Sequence, residues 1–252
     1  MPDEEDEEEV PLEGGNITGG VVRIGDTVRR PQSPGSGLAH AVLRHLEDVG
    51  FAHSPRLLGI DDQGREILSF APGHTIWPHE SELLTDGRAL EPIGALVRSF
   101  HDAMAGFPSG VDDGSIVIHG DLAPWNVVVG VGGRLTLIDW DTVAQGHVRT
   151  ELAYVLHTFV PLWPDTPFAD DDAEVVRRIE RFGAAYGADA SLIDDALRAA
   201  PDRARGLADE TERRAVAGEA AFRALVDDGH PQVWRAAAEH MAERLPRWLD
   251  RR

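Results

Sequence analysis

His119-Gly120-Asp121-Leu122-Ala123-Pro124-Trp125-Asn126 stands directly ahead of Val127-Val128-Val129, a turn at Gly130-Val131-Gly132-Gly133, Leu135-Thr136-Leu137 and then Ile138-Asp139-Trp140-Asp141. Asp121 precedes Asn126 by five residues, and Asp139 follows Asn126 by thirteen. Two short apolar runs around a glycine-rich turn predict a β-hairpin. Ile116-Val117-Ile118 predicts a buried strand that runs into His119. Two carboxylates and an amide therefore fall at strand ends, on a rigid frame. Carboxylate and amide oxygens are the ligands that a hard cation such as Mg²⁺ prefers. An ordinary hairpin would also use Asp and Asn as turn residues, but that does not explain two acidic sites flanking one hairpin at this spacing.

At these residues the chain resembles the aminoglycoside phosphotransferase (APH) and choline kinase-like family. The family's pattern is an HGD-x-x-x-x-N loop followed by an IDWD or IDFD segment, and both motifs are present with matching spacing. The resemblance implies that Asp121 is the catalytic base, that Asn126 and Asp139 ligate Mg²⁺ with Asp141 as a helper, and that His119 holds the loop in shape. It implies ATP as co-substrate and a hydroxyl as phosphoryl acceptor.

Composition is compatible with this. The chain has 252 residues and 42% hydrophobic residues, enough for one two-lobed domain. It has no cysteine, which excludes disulfides and cysteine chemistry. No run is apolar enough to span a bilayer, and the acidic N-terminus does not read as a signal peptide. The expected location is therefore cytoplasmic, with no membrane partner. The net charge of −20 argues against nucleic acid as a partner, and it suits a cationic acceptor. Asp3 to Glu9 is an unbroken acidic run, and residues 1–11 read as a disordered tail. All 24 basic residues are arginine.

Residues 12–72 read as a nucleotide-binding lobe and 73–252 as a helical lobe carrying the catalytic loop (119–126) and the metal-binding segment (138–141). In the first lobe, Gly14 to Gly20 precede a strand at Val21 to Ile24. Gly25-Asp26 is a turn and Thr27 to Arg30 the returning strand. Gly19 and Gly20 are candidates for backbone approach to phosphate. Leu38 to Val49 predicts an amphipathic helix. Arg56 to Ile60 and Arg65 to Phe70 predict a further strand pair. The resemblance implies a phosphate-binding cation on the third strand. Arg29 is the first choice and Arg30 the second, and strand alternation lets only one face the cleft. It also implies adenine contacts from Ser69 and Ala71, and a helix acid paired with the cation. That acid's position falls near Ala39 or His40, where no acid stands.

In the second lobe, residues 83–105 read as a long helical stretch with Glu91-Pro92 as the place for a break. His101 reads as structural. Residues 149–159 read as a helix in which Glu151 replaces a family Asp that ties down the loop. Later helices are expected at about 169–186, 190–199, 203–226 and 232–250, punctuated by Gly187, Pro201 and Gly229. Asp170 to Asp172 read as a helix cap rather than a lining for substrate amines. Trp77, Trp125, Trp140 and Trp163 read as core packing, Trp163 alternatively as a cleft wall.

The expected fold is α+β, protein-kinase-like, with a small antiparallel β-sheet lobe carrying one helix and a mostly helical second lobe. The expected function is transfer of the γ-phosphoryl group of ATP to an aminoglycoside- or amino-alcohol-like small molecule. The missing helix acid keeps open a pseudokinase that acts as a binding or immunity module. A kinase modifying a peptide hydroxyl in natural-product maturation is a third reading. Monomer and homodimer both remain open.

Overall fold

The computed structural model describes residues 8–12, 19–108 and 114–252. The first lobe is a five-stranded sheet of β1 (Val10–Pro11), β2 (Val22–Ile24), β3 (Thr27–Arg30), β4 (Leu57–Ile60) and β5 (Glu66–Ser69), in the order β1-β2-β3-β5-β4. Every pairing is antiparallel. The Gly25-Asp26 turn joins β2 to β3, as the sequence predicts. Disorder was expected through residue 11, but Val10 and Pro11 pair with Arg23 and Val22. Residues 1–7 and the Gly14 to Thr18 part of the nucleotide loop lie outside the described residues.

Helix α1 (Ser36–Asp48) packs on this sheet through Ala39, Val42, Leu43 and Leu46, all buried. These positions recur at the i, i+3, i+4, i+7 spacing of one helical face. Gly50, at φ 77°, follows its end, where only glycine adopts the left-handed turn without strain.

The second lobe begins with β6 (His74–Thr75) and two single-turn helices, α2 (Ile76–His79) and α3 (Glu82–Thr85), before α4 (Leu90–Met104). The expected break at Glu91-Pro92 lies instead at residues 86–89. Pro92 sits in the first turn of α4, where an amide N–H would have no intrahelical partner anyway. Then come β7 (Ile116–Ile118), β8 (Val127–Val129), β9 (Leu135–Leu137), β10 (Ala144–Gly146) and α5 (Val148–Phe159). The β8–β9 hairpin forms as read, and β6 adds to it as a third strand. β7 pairs with β10. Helices α6 (Asp172–Tyr186), α7 (Ala190–Val216), α8 (Ala220–Asp227) and α9 (His230–Arg251) complete the chain. The core lies among α4, α5, α6, α7 and α9, around Phe100, Leu156, Phe159, Phe182 and Trp248.

Two further sequence expectations fail here. Pro201 does not end a helix. It is buried inside the continuous 27-residue α7, so tertiary packing outweighs the roughly 3 kcal/mol cost of an internal proline. The chain turns instead at Gly218, with φ 98°. Trp77 is not core but 49% exposed, whereas Trp140 is buried as expected; Trp125 and Trp163 are half-buried. Asp171 caps α6 by accepting from the N–H groups of Ala173 and Glu174 at 3.1 and 3.0 Å. Its neighbour Asp172 accepts instead from Arg244 and Trp248. Among the described residues no helix is long and apolar enough to cross a membrane.

Candidate active site

The catalytic loop leaves β7 with His119 fully buried against Trp140, ring centroids 4.7 Å apart. His119 Nε2 meets the Ile138 carbonyl at 3.1 Å, so the ring joins the loop to the end of β9. Gly120 follows at φ 82°. A Cβ there would overlap the Thr142 carbonyl oxygen, so the position tolerates only glycine. Its N–H donates to Glu151 Oε1 at 2.9 Å, and its carbonyl accepts from Arg203 Nη2 at 2.9 Å. Glu151 is buried and its other oxygen bonds His101 Nε2 at 2.7 Å, while His101 Nδ1 meets the Tyr186 hydroxyl at 2.8 Å. The glutamate in place of the family aspartate therefore reaches the loop, and His101 is a structural residue behind it.

Asp121 is the focus of the loop. Its Oδ1 accepts from the Tyr154 hydroxyl at 2.7 Å. Its Oδ2 accepts from Asn126 Nδ2 at 2.8 Å and from Trp125 Nε1 at 3.4 Å. Burial pushes the Asp121 carboxyl above its ordinary range, and the Tyr154 hydrogen bond opposes that rise. Asn126 Nδ2 also donates to the Asp121 carbonyl at 2.9 Å. With its amide nitrogen bonded to Asp121, Asn126 has its oxygen as the end that remains for a cation. The Ile138 N–H donates to the Asn126 carbonyl at 2.9 Å, so Asn126 and Asp139 are held side by side.

Asp139 adopts φ 62° and ψ 71°, a left-handed conformation rare outside glycine. Arg30 Nη2 reaches Asp139 Oδ1 at 3.2 Å and also pairs with Asp141. Two carboxylates thus already converge on one positive group. Asn126 and Asp139 supply hard oxygen donors on a fixed frame, with Asp141 beside them, and the set fits Mg²⁺ chemically. Among the described residues no cluster of three or more His, Asp or Glu side chains forms a metal cage.

Of the two arginines on the third strand, Arg30 and not Arg29 lies on the side of Asp139 and Asp141. Arg29 points to the other face, donating to Thr27 Oγ1 at 2.5 Å and lying 3.9 Å from Asp61. Alternation across the strand separates the two faces. Arg30 is 7% exposed and also lies 3.1 Å from Glu66 Oε1. The Ser69 N–H donates to the Arg56 carbonyl at 2.9 Å, which removes that donor from the adenine contacts expected of it. Ala71 follows β5, partly exposed. Gly19 and Gly20 precede β2. Gly20 has φ 78°, and a Cβ on Gly19 would meet open space.

Sequence reading missed Tyr154, Arg203 and Glu66. Tyr154 lies one turn after Glu151 on α5, a weak signal that was available. Arg203 lies on α7, far along the chain, and Glu66 faces Arg30 only through strand register.

Residues 108–191 match the family model described as the phosphotransferase enzyme family, APH. A curated relative, the trifolitoxin immunity protein of Rhizobium leguminosarum bv. trifolii, is 34% identical over 181 residues, covering 66% of this chain and 65% of that protein. The chain thus matches just under two thirds of that relative's length. Among solved structures, a choline/ethanolamine kinase family protein from Mesorhizobium loti superposes with a TM-score of 0.58 at 18% identity, covering 96% of this chain and 91% of that one. An amicoumacin kinase in complex with AMP-PNP, Ca²⁺ and Ami gives a TM-score of 0.57 at 15% identity, covering 88% and 89%. The motif-bearing segment is thus similar to the APH phosphotransferase family, and the chain shares the protein-kinase-like fold of the choline kinase-like structures.

Proposed function

We propose that this chain transfers the γ-phosphoryl group of ATP to a hydroxyl of a small molecule. The observation that carries this reading is Asp121. It is a half-buried carboxylate held by three side-chain donors, beside Asn126, Asp139 and Arg30.

In the reaction, the acceptor oxygen forms a bond to the γ-phosphorus and the bond from that phosphorus to the β–γ bridging oxygen breaks. ADP leaves, and the hydroxyl proton passes to the Asp121 carboxylate. Tyr154, Trp125 and Asn126 fix the direction in which Asp121 presents its remaining lone pair. Its raised pKa makes it a stronger proton acceptor than an ordinary aspartate. Mg²⁺, held by Asn126 and Asp139 with Asp141 alongside, would neutralise charge on the triphosphate. Arg30 supplies a second, fixed positive charge.

For the acceptor, Trp125 and Trp234 stand 6.3 Å apart next to Tyr154 and are only partly buried. Aromatic faces near carboxylates favour an amine-bearing acceptor, such as an aminoglycoside or an amino alcohol. The kinase neighbour solved with AMP-PNP supports nucleotide use. The name of the trifolitoxin immunity protein favours a second reading, in which the chain confers immunity. Phosphorylation of a hydroxyl on the toxic molecule would unite the two, and a binding module without turnover would separate them.

Thermal unfolding with ATP, with and without Mg²⁺, is the first test. Nucleotide at about 100 times its dissociation constant stabilises by roughly 2.7 kcal/mol. The expected result is a shift that requires Mg²⁺. Asp121→Ala should keep that shift and lose all phosphoryl transfer, whereas Asp139→Ala should lose both. An Asp121→Ala variant with full activity would refute the assignment.

A further inference from the structure

No acid on α1 faces the arginines of β3; its two acids, Glu47 and Asp48, stand at its C-terminal end, and Glu47 pairs at the surface with Arg56 at 3.4 Å. A carboxylate arrives from another element. Arg30 lies directly across the β3–β5 ladder from Glu66. Glu66 Oε1 is 3.1 Å from Arg30 Nε, and Glu66 Oε2 is 2.6 Å from His40 Nε2. The three side chains are all buried, at 7%, 3% and 9% exposure for Arg30, Glu66 and His40. A carboxylate can only accept, so His40 Nε2–H is the donor. His40 stands on α1. A continuous chain of contacts thus runs from α1 through β5 and β3 to Asp139.

The two ends of the Arg30 guanidinium meet different surroundings. Its Nη2 faces Asp139, whose side chain is 43% exposed, and Asp141. Its Nε faces Glu66, which is locked inside the sheet. A guanidinium held only by Asp139 and Asp141 would turn as they turn. Glu66 holds the inner end by charge, its Oε1 3.1 Å from an Nε that makes no hydrogen bond. Because the side chains are buried, Arg30 without Glu66 would lose the only counter-charge it meets within the lobe among the described residues.

We propose that Glu66 and His40 are positioning residues for Arg30. They aim its outer donors at the phosphates of a bound nucleotide, and they tie that aim to the placement of α1. The orienting role is divided between a strand glutamate and a helix histidine. This inference rests on the nucleotide-binding reading above and adds residues to it.

The test is calorimetric titration of the full chain with AMP-PNP and Mg²⁺. If the wild type does not bind, the nucleotide reading fails and takes this inference with it. If it binds, Glu66→Gln should weaken affinity by about 10-fold or more, the scale of lost supporting contacts behind a binding group. His40→Leu should weaken it too, whereas His40→Gln, which keeps an N–H at the same reach, should bind like the wild type. Glu66→Gln/His40→Leu should bind no worse than Glu66→Gln alone, because His40 acts through Glu66. Melting without nucleotide establishes that each variant is folded. A merely structural pair would lower melting while leaving the affinity of the folded protein unchanged. Should Glu66→Gln fail to fold, the His40→Leu and His40→Gln pair decides. A folded Glu66→Gln or His40→Leu variant with wild-type affinity would overturn the proposal while leaving the nucleotide reading intact, and so would losses that add in the double variant.

Discussion

Tyr154→Phe isolates one hydrogen bond at the centre of the site. Tyr154 is 2% exposed and its hydroxyl donates to Asp121 Oδ1 at 2.7 Å. Phenylalanine keeps the ring, its edge contact with Trp125 and the Arg203 guanidinium over its face, so only the oxygen is lost. A hydrogen bond to a charged group contributes about 1.5–3 kcal/mol. A loss of about 2 kcal/mol lowers the melting temperature of a chain this size by about 4–8 °C. The loss has a pH signature. Burial already raises the Asp121 pKa and the tyrosine opposes the rise, so the variant's Asp121 rises further. A carboxyl with a raised folded-state pKa holds a proton that the unfolded chain releases. The associated stability is full below the ordinary aspartate pKa and is lost as pH climbs through the folded value. The tyrosine stays protonated throughout, because burial and Asp121 push its hydroxyl well above the usual range. The deficit of Tyr154→Phe is therefore greatest near neutral pH and shrinks as pH falls into the window above the ordinary aspartate value. Urea unfolding of both proteins across that range measures it. A deficit that is constant with pH, or that grows in acid, would refute this account of Asp121.

Two further substitutions probe the supporting frame. Glu151→Ala leaves His101 and the Gly120 N–H without their shared carboxylate; loss of one partner from such a buried pair costs about 3–5 kcal/mol. Burial acts to raise the Glu151 pKa, but His101 and the Gly120 N–H hold it below its ordinary value. Its stabilisation is therefore present above the ordinary glutamate range and fades as pH falls through the folded value. A melting experiment showing a loss no larger than the about 1 kcal/mol of a surface ion pair would contradict this. His157 is buried with neither ring nitrogen bonded, and burial together with Arg203 depresses its pKa to about 3. Below its ordinary value near 6.5 the unfolded chain takes up a proton that the folded one refuses, so the wild type loses stability as pH falls from there toward 3. His157→Leu should match or exceed wild-type stability at neutral pH and flatten the unfolding profile over that interval; an unchanged slope would count against it.

The hairpin at 127–137 and the α1 face were legible because periodicity and turn chemistry are local. The catalytic loop was legible because its spacing is. Alternation established that only one of Arg29 and Arg30 faces the cleft, but which one depends on how β3 pairs with β5, a long-range register. The same register hid Glu66, which is 36 residues from Arg30. β6 and β10 carry too few residues for any pattern to appear. Pro201 misled because its penalty is local while the packing that overrides it comes from distant helices. Tyr154 and Arg203 act on the loop from helices whose own sequence records only that they are amphipathic.

The Gly120 clamp sets an order of assembly. One side of it, Glu151, comes 31 residues after the glycine and the other, Arg203, 83 residues after. A nascent chain that has emerged as far as Asp141 already contains each residue of the motif, yet it lacks both partners of Gly120 and the Tyr154 hydroxyl on Asp121. Competence at this site is therefore conferred late, when α5 and α7 dock. A chain interrupted before α7 would keep the sequence signature of the family and lack the shape that gives the signature its chemistry.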